Sequence, residues 1–414
     1  MSGASKSAGT KTRVAIARAA ADGPYSPVIR ASSWHFFEAP HRPLFALAGF
    51  WAFTAPAVWL LPESFGPDRA AWHAHELLFG MGGAAVGGYL LTALPAWTKR
   101  GPVSAAASGG LTILWLAARL TAFTWDYLPA AIRLIGISAY FAGLTAVLAC
   151  HLLSAGVWHR LWAVVATSIL GGASILSGLG DVAAIRSTMP LLFSVLIILI
   201  GGRAVPAFTR HWLERTGAPA PIRDRPSLSH AAIIAILGAC CLDMQEHALA
   251  KGILLMLAAA LVLVRMRHWR SLVTARYPAL FMMHAAFMWT PAGLLLLGLA
   301  SIFPDEIPAP TALHGLTMGA MGTMTLSFMM RAAMTRRRGR LLVSRTMAGA
   351  FILVCLSASI RLCVAWLPDL PVDPVALAAL CWMAGWGLFL RAYMPALRGP
   401  VQRPVFSASP KRRQ

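Results

Sequence analysis

Five residues that can bind a metal ion stand at the ends of long apolar runs or inside them. His73, His75 and Glu76 come just before the run GMGGAAVGG, His284 lies in MMHAAFMW, and His314 precedes GLTMGAMG. Imidazole is the commonest metal ligand in proteins, and both copper and haem iron accept it. These residue types therefore predict one or more metal centres that are bound by histidine.

The spacing of the first three residues separates their roles. His73 and His75 are two residues apart, about 200° around a helix, so they point to different sides of it. Either one of them lies in the loop before the helix or the two serve different centres. His73 and Glu76 share a face, so Glu76 could orient a ligand histidine as a hydrogen-bond acceptor. A pair of interfacial histidines that are hydrogen-bonded to loop carbonyls is the alternative.

Composition indicates where these residues lie. The chain has 414 residues, of which 58% are hydrophobic and 12% are charged, whereas a soluble protein has about 25% charged residues. Apolar runs of about 20 residues cross a bilayer as helices. We therefore predict an all-α polytopic membrane protein. Twelve runs are predicted to cross the bilayer: 44–62, 76–97, 104–123, 129–152, 161–180, 188–208, 228–249, 252–266, 278–302, 311–333, 345–368 and 375–395.

The basic residues predict the orientation. When the segments between these runs are numbered alternately, the set with both chain ends carries 25 Lys and Arg, and the other set carries three. Basic loops stay in the cytoplasm, so both termini are predicted to be cytoplasmic. The net charge of +21 is then mostly an orientation signal. The bilayer is the expected partner, and a nucleic acid is not.

This orientation gives each candidate residue a side of the membrane. His73, His75, Glu76 and His314 are predicted near the outer side, and His284 about 9 Å from the cytoplasmic face. The chain is predicted to have three regions: a disordered basic cytoplasmic tail at 1–40, the membrane domain at 41–396, and a basic cytoplasmic tail at 397–414.

Small residues recur at intervals of four beside the histidines. Gly80, Ala84 and Gly88 follow His75, and Gly315 and Gly319 follow His314. Such rows let helix backbones approach closely. They could equally leave room for a flat macrocycle.

Four sequence blocks resemble the NnrS family of bacterial membrane proteins. A further segment, HAAFMWTPAGLLLLGLA, is similar to a family histidine segment. The likeness covers about residues 35 to 395, nearly the whole chain. The four blocks are HRPLFALAGFWA at 41–52, WHAHELLFGMGGAAVGGYLLTALPAWT at 72–98, GGRAVPAFTRHW at 201–212 and HGLTMGAMGTMTLSFMMRA at 314–332.

The resemblance implies a twelve-helix inner-membrane protein that contains haem and copper and is linked to nitric oxide metabolism and nitrosative stress, often in denitrifying bacteria. It does not settle a reaction. We expect His75 and His314 to ligate a metal centre on the outer side, and His284 to belong to a second, deeper centre. Arg203 could pair with a haem propionate or could be an arginine that reaches the inner interface. Whether several copies associate stays open.

Two positions depart from the family pattern. A GHTGRPL-like run often follows the tenth helix, but this chain has TRRRGRLL there, without the histidine, and Ala96 stands where the family has Asn. Any role of the histidine near 336–340 is therefore not carried over.

Two other function classes stay open. A secondary transporter of a metal or small solute would suit twelve membrane helices that are interrupted by proline. A haem-based sensor or assembly factor without catalytic activity would bind haem and a partner protein without consuming nitric oxide.

Overall fold

The computed structural model describes residues 36–406, apart from 61–67, 181, 218–221, 245–246, 338, 365–372, 400 and 402. The tail predicted at 1–40 lies outside the described residues except for 36–40. The tail predicted at 397–414 lies outside them from residue 407 onward.

The described residues form helices joined by short connections. In chain order these are α1 (His41–Thr54), α2 (Arg69–His75), α3 (Gly82–Thr98), α4 (Ala105–Phe123), α5 (Ala130–Ser154), α6 (Trp162–Gly178), α7 (Val182–Arg215), α8 (Pro226–Asp243), α9 (Ala248–Met266), α10 (Pro278–Ile302), α11 (Ala309–His314), α12 (Thr323–Ala333), α13 (Arg345–Cys363) and α14 (Pro374–Tyr393). Short 3₁₀ turns continue or join them at Ala55–Leu60, Trp125–Tyr127, Trp158–Arg160, Ser271–Arg276 and Met394–Leu397.

Two π-helical segments interrupt otherwise continuous helices. The first, π1 (Glu76–Met81), joins α2 to α3, and the second, π2 (Gly315–Gly322), joins α11 to α12. Both contain glycine and lie directly after a histidine. A π-helical turn spaces its backbone hydrogen bonds five residues apart instead of four, and such turns occur frequently at functional sites.

The prediction of an all-α polytopic membrane protein is confirmed. Within the described residues, eleven helical stretches are long and apolar enough to cross a membrane. The tenth predicted run, 311–333, corresponds to α11, π2 and α12 together. It is helical throughout, but its Thr, Gly and His content makes it less apolar than the other eleven.

Local sequence explains where several helices begin. The side chains of Asp68, Ser104, Ser344 and Asp373 accept hydrogen bonds from the first backbone N–H groups of α2, α4, α13 and α14. Such a cap satisfies donors that have no partner inside the helix. Helices that are neighbours in sequence pack together, and α14 returns to contact α1.

Glycine lets the backbones of some helices touch. A Cβ atom on Gly293 of α10 would lie 2.8 Å from the backbone carbon of Gly315 in π2, and one on Gly252 of α9 would lie 2.7 Å from the carbonyl oxygen of Gly298 in α10. These are backbone contacts, so no side-chain movement could relieve them. Of the small-residue rows beside the histidines, Gly315 thus serves close backbone packing, whereas Gly80, Gly88 and Gly319 make room for the rings of Trp51, Phe45 and Trp289.

The structure differs from the predicted boundaries and loops in several places. The second membrane helix begins at Arg69 and not near residue 76, because Asp68 caps it; His73, His75 and Glu76 are thus inside the helix. The seventh ends at Asp243, whose carboxylate pairs with Lys251 at 2.5 Å across the turn. The loop after α12 contains an antiparallel ribbon, β1 (Thr335–Arg337) and β2 (Arg340–Leu342), in which Arg337 faces Arg340.

Candidate metal and ligand site

His73 and His314 form the first part of the site, and we call them the histidine pair. The two side chains interact electrostatically with each other, and each also interacts with Arg361 of α13. His73 lies at the end of α2 and His314 at the end of α11. Two separate membrane helices therefore bring one imidazole each to the same region, just before their π-helical segments.

The two histidines of the pair differ in their hydrogen bonds. One ring nitrogen of His73 has no partner in the described part of the chain, whereas one ring nitrogen of His314 is held by a backbone carbonyl. The ring of His73 packs edge-on against Trp59 with centroids 5.4 Å apart, and its buried Nδ1 has no hydrogen-bond partner among the described residues. His314 Nδ1 donates to the carbonyl oxygen of Pro310 at 2.5 Å. A bond of this kind orients a ligand histidine and leaves Nε2 as the coordinating atom.

His75 points into a different environment. Its Nδ1 lies 3.3 Å from the hydroxyl oxygen of Ser177, and its ring packs against Phe79 with centroids 4.9 Å apart. Its buried Nε2 has no hydrogen-bond partner among the described residues and lies 4.0 Å from an oxygen of Glu76. The structure thus separates the surroundings of His75 from those of the histidine pair.

Glu76 is fully buried and pairs with Arg119 of α4. Arg119 Nη1 donates to Glu76 Oε1 at 2.7 Å, and the side chains of Arg119 and Glu76 are 4% and 0% exposed. The second carboxylate oxygen, Oε2, is also buried, and the indole N–H of Trp51 is a further polar neighbour of the Glu76 carboxylate. The sequence predicted that Glu76 shares a helix face with His73 and accepts a hydrogen bond from a ligand histidine. In the structure the nearest charged or titratable side chains to Glu76 are instead Arg119 and His75.

Arg119 was missed by sequence analysis, and so was Arg361. Both were counted only as basic residues inside apolar runs. The available signal was their charge at membrane depth, where ionisable groups are costly and usually face a partner or a cavity. Hydropathy alone could not identify that partner, because Glu76 lies 43 positions from Arg119.

The first π-helical segment and the start of α3 are held by two aromatic side chains. Trp115 Nε1 donates to the carbonyl oxygen of Gly80 at 2.9 Å, and the Tyr140 hydroxyl donates to that of Gly83 at 3.0 Å. Both donors are buried. Buried carbonyls that accept such bonds fix the backbone in place, so the wide turn after His75 is anchored from α4 and α5.

His284 is satisfied by two hydroxyl groups. It is 2% exposed, with Nε2 at 2.8 Å from Thr209 Oγ1 and Nδ1 at 2.9 Å from Ser271 Oγ. The Thr209 hydroxyl donates to the Val205 carbonyl at 2.7 Å, so His284 Nε2 is the donor toward Thr209 and Nδ1 accepts from Ser271. A metal at either nitrogen would have to displace a hydroxyl.

Arg203 is an exposed residue of α7. It lies in the half of this helix that is farther from the histidine pair. It follows the buried residues Gly201 and Gly202, and its electrostatic neighbours are Arg160 and Tyr89. Two guanidinium groups that lie close together suit an anionic group from a cofactor or a lipid.

A small apolar cavity lies beside the π-helical segments. Its volume is about 70 Å³, and a Cβ atom on Gly82 would come within 2.5 Å of the Met321 methyl carbon, which lies on its wall. Its lining is almost entirely apolar and includes Gly82, Phe193, Ile197, Met321 and Met324. A small neutral molecule fits such a space, because polar groups would find almost no partner there.

The described residues contain no group of three or more His, Cys, Asp or Glu side chains that could hold a metal ion together. The donors instead come in ones and twos. Two imidazoles from separate helices would suit haem iron as ligands. The buried nitrogens of His73 and His75 without partners are the atoms that such a group, or a copper ion, would satisfy.

A comparison with family models supports the sequence resemblance. The family model described as NnrS protein matches residues 35–400. No curated protein matches the chain. The match includes both histidine-bearing π-helical regions, Arg203 and His284. The chain belongs to the NnrS family.

Proposed function

We propose that this protein binds haem and copper in the inner membrane of a bacterium and acts on nitric oxide or a related small neutral ligand. The observation that supports it most is the histidine pair: two imidazoles on separate helices, one of them oriented through Nδ1. The apolar cavity near π1 and π2 supports the choice of ligand. Nitric oxide partitions into a bilayer and needs no polar channel to enter.

We assign the haem iron to His73 and His314. This changes the expected partner of His314 from His75 to His73, because His73 and Arg361 are the titratable side chains within electrostatic range of His314. His75, with a free Nε2 beside Glu76 and Arg119, is the proposed copper ligand. A second centre at His284 would require Thr209 or Ser271 to move away.

The chain's own residues would prepare the site. Pro310 holds the proton of His314 on Nδ1, so Nε2 faces the site as an acceptor. Trp59 holds the His73 ring, and Arg361 offers positive charge to an anionic substituent of the bound group. When bound, haem iron would supply the binding position for nitric oxide, which requires that one of the two imidazoles give way.

The first test is an absorption spectrum of the protein purified in mild detergent, with metal analysis of the same sample. We expect a Soret band that shifts when nitric oxide is added. His73→Ala and His314→Ala should each lower haem content, with a loss of affinity of about tenfold or more. His75→Ala should lower copper and leave haem in place.

His151→Ala is the matched control. His151 makes the same bond as His314, from Nδ1 to the carbonyl oxygen four residues earlier, at 2.8 Å. It should keep full haem content. Haem loss in all four variants, or in none of them while they remain folded, would contradict the assignment. A folded wild-type protein without colour or metal would favour a transporter.

A further inference from the structure

A second cavity lies at the end of the molecule opposite the histidine pair, on the face that carries most of the basic residues. Its volume is about 220 Å³. It lies between the end of α7, the start of α10, the end of α12 and the β-ribbon. Its lining includes three arginines, Arg215, Arg331 and Arg340, and three aromatic residues, Phe208, Trp212 and Tyr277. We call it the basic cavity, because its described lining includes three arginines and no Asp or Glu.

Arg331 forms the floor of the basic cavity and is only 3% exposed. Its Nε donates to the carbonyl oxygen of Phe406 at 2.9 Å and its Nη1 to that of Ala279 at 3.1 Å. Its guanidinium carbon lies 4.2 Å from the centre of the Phe208 ring. Carbonyl groups and a ring face orient the charge, and neither neutralises it.

No described carboxylate pairs with Arg331, and its Nη2 has no protein acceptor among the described residues. A buried charge without an opposite charge is costly. Its electrostatic environment includes the Tyr277 hydroxyl and a second cation, Arg336, but no carboxylate among the described residues. An anion in the cavity would remove this cost.

The other two arginines reach the cavity from its rim. Arg340 lies over the Tyr277 ring with its guanidinium carbon 5.7 Å from the ring centre. The Arg215 guanidinium packs against Gly339, which has φ +74° at the turn of the ribbon; a Cβ atom there would overlap it. The ribbon therefore holds two rim arginines above the buried one.

We propose that the basic cavity binds a phosphate group. The guanidinium groups of Arg331 in α12 and Arg340 in the ribbon offer the forked donors that bind phosphate oxygens. The walls formed by Phe208, Leu280 and Trp212 are apolar or aromatic, which suits a phosphate that carries a hydrocarbon. The expected source is the headgroup of an anionic phospholipid, since basic pockets between membrane helices bind such headgroups.

The test uses full-length protein in a neutral detergent and measures the midpoint of thermal unfolding. Phosphatidylglycerol should raise the midpoint by a few degrees, while phosphatidylcholine should not. Arg340→Glu should abolish the shift, because it places a negative charge at the rim. Native mass spectrometry should show less co-purified anionic lipid in this variant.

Arg337→Glu is the matched control. Arg337 faces Arg340 across the ribbon and is likewise exposed, but it does not line the cavity. The Arg337→Glu variant has the same change of charge as Arg340→Glu. It should keep the full rise of the unfolding midpoint with phosphatidylglycerol. Equal loss in both variants would show attraction by the whole basic face and would overturn the site, as would a wild-type protein that no phosphate compound stabilises.

Inorganic phosphate, added without lipid, distinguishes the two sources of the phosphate. A shift with phosphate that is lost in Arg340→Glu and kept in Arg337→Glu would assign the cavity to a soluble phosphate compound.

Arg331→Lys is a second variant. Arg331 is buried, so its replacement must keep the positive charge and a similar length for the protein to fold. It should retain part of the shift and leave haem content unchanged.

Discussion

At the scale of single residues, the charge pair between Glu76 and Arg119 is the strongest constraint near the site. Both side chains are almost fully buried, and Arg119 Nε has no hydrogen-bond partner in the described residues. Ion pairs of this kind add little stability, but removing one partner leaves a buried charge. The pair therefore fixes α4 against π1 beside His75.

Single and double substitutions should separate these effects. Glu76→Ala should destabilise the protein by about 3–5 kcal/mol, because it strands the Arg119 charge. Glu76→Leu combined with Arg119→Leu should restore most of that loss, since no charge remains buried. Thermal unfolding in detergent measures both. A double variant less stable than Glu76→Ala would contradict the argument.

At the scale of elements, backbone contact between α10 and π2 sets the position of His314. Gly293 touches the backbone of Gly315, the residue directly after this histidine.

Arg265 of α9 links its own helix to α7 and to the loop before α8. It donates to Asp224 Oδ1 at 2.8 Å and to the Gly202 carbonyl at 2.6 Å. Burial raises the pKa of Asp224, but the hydrogen bonds and charge of Arg265 outweigh it and lower this pKa overall.

Gly293→Ala tests whether this contact holds the site. The added methyl group would lie 2.8 Å from backbone atoms, so α10 and π2 must separate. We expect a lower unfolding midpoint and reduced haem content. Gly172→Ala in α6 is the control, because a Cβ there meets no atom within 4 Å and alanine favours a helix by about 1 kcal/mol. If Gly293→Ala binds haem like the wild type, the contact does not position the site.

The helices and their order could be predicted from the sequence, but the tertiary contacts between them could not. Apolar runs and basic loops are local features, so the helices and their order were predicted closely, as for 278–302. The early start of the second helix was missed, although Asp68 is a recognisable cap. The π-helical segments, the Arg119 partner of Glu76 and the hydroxyl partners of His284 depend on tertiary contacts. Periodicity could not indicate them.

At the scale of the whole molecule, charge separates two faces. The histidine pair lies at one end of its helices, and the basic cavity lies at the other. One set of loops carries 25 basic residues and the other set carries three. The basic cavity lies among the loops of the first set, so it is predicted to face the cytoplasm. The histidine pair would then face outward.

Cysteine labelling of intact spheroplasts tests this orientation. Asp305→Cys, in the exposed loop between α10 and α11, should react with a membrane-impermeant maleimide. Gly101→Cys, in the loop between α3 and α4, should react only after the membrane is permeabilised. Both positions are exposed, so access alone does not separate them. The reverse pattern would place the histidine pair in the cytoplasm.

The two π-helical segments also determine where this chain can change its length. Each residue in an α-helix turns the next ones by about 100°, so deleting one residue from α3 would rotate everything before it by that angle. A π-helical turn holds one residue more than an α-helical turn. Deleting one residue from π1 would therefore restore ordinary helix geometry and keep His73 and His75 on nearly their present faces relative to α3. Single-residue deletions should accordingly be tolerated better at these two turns than elsewhere in the same helices.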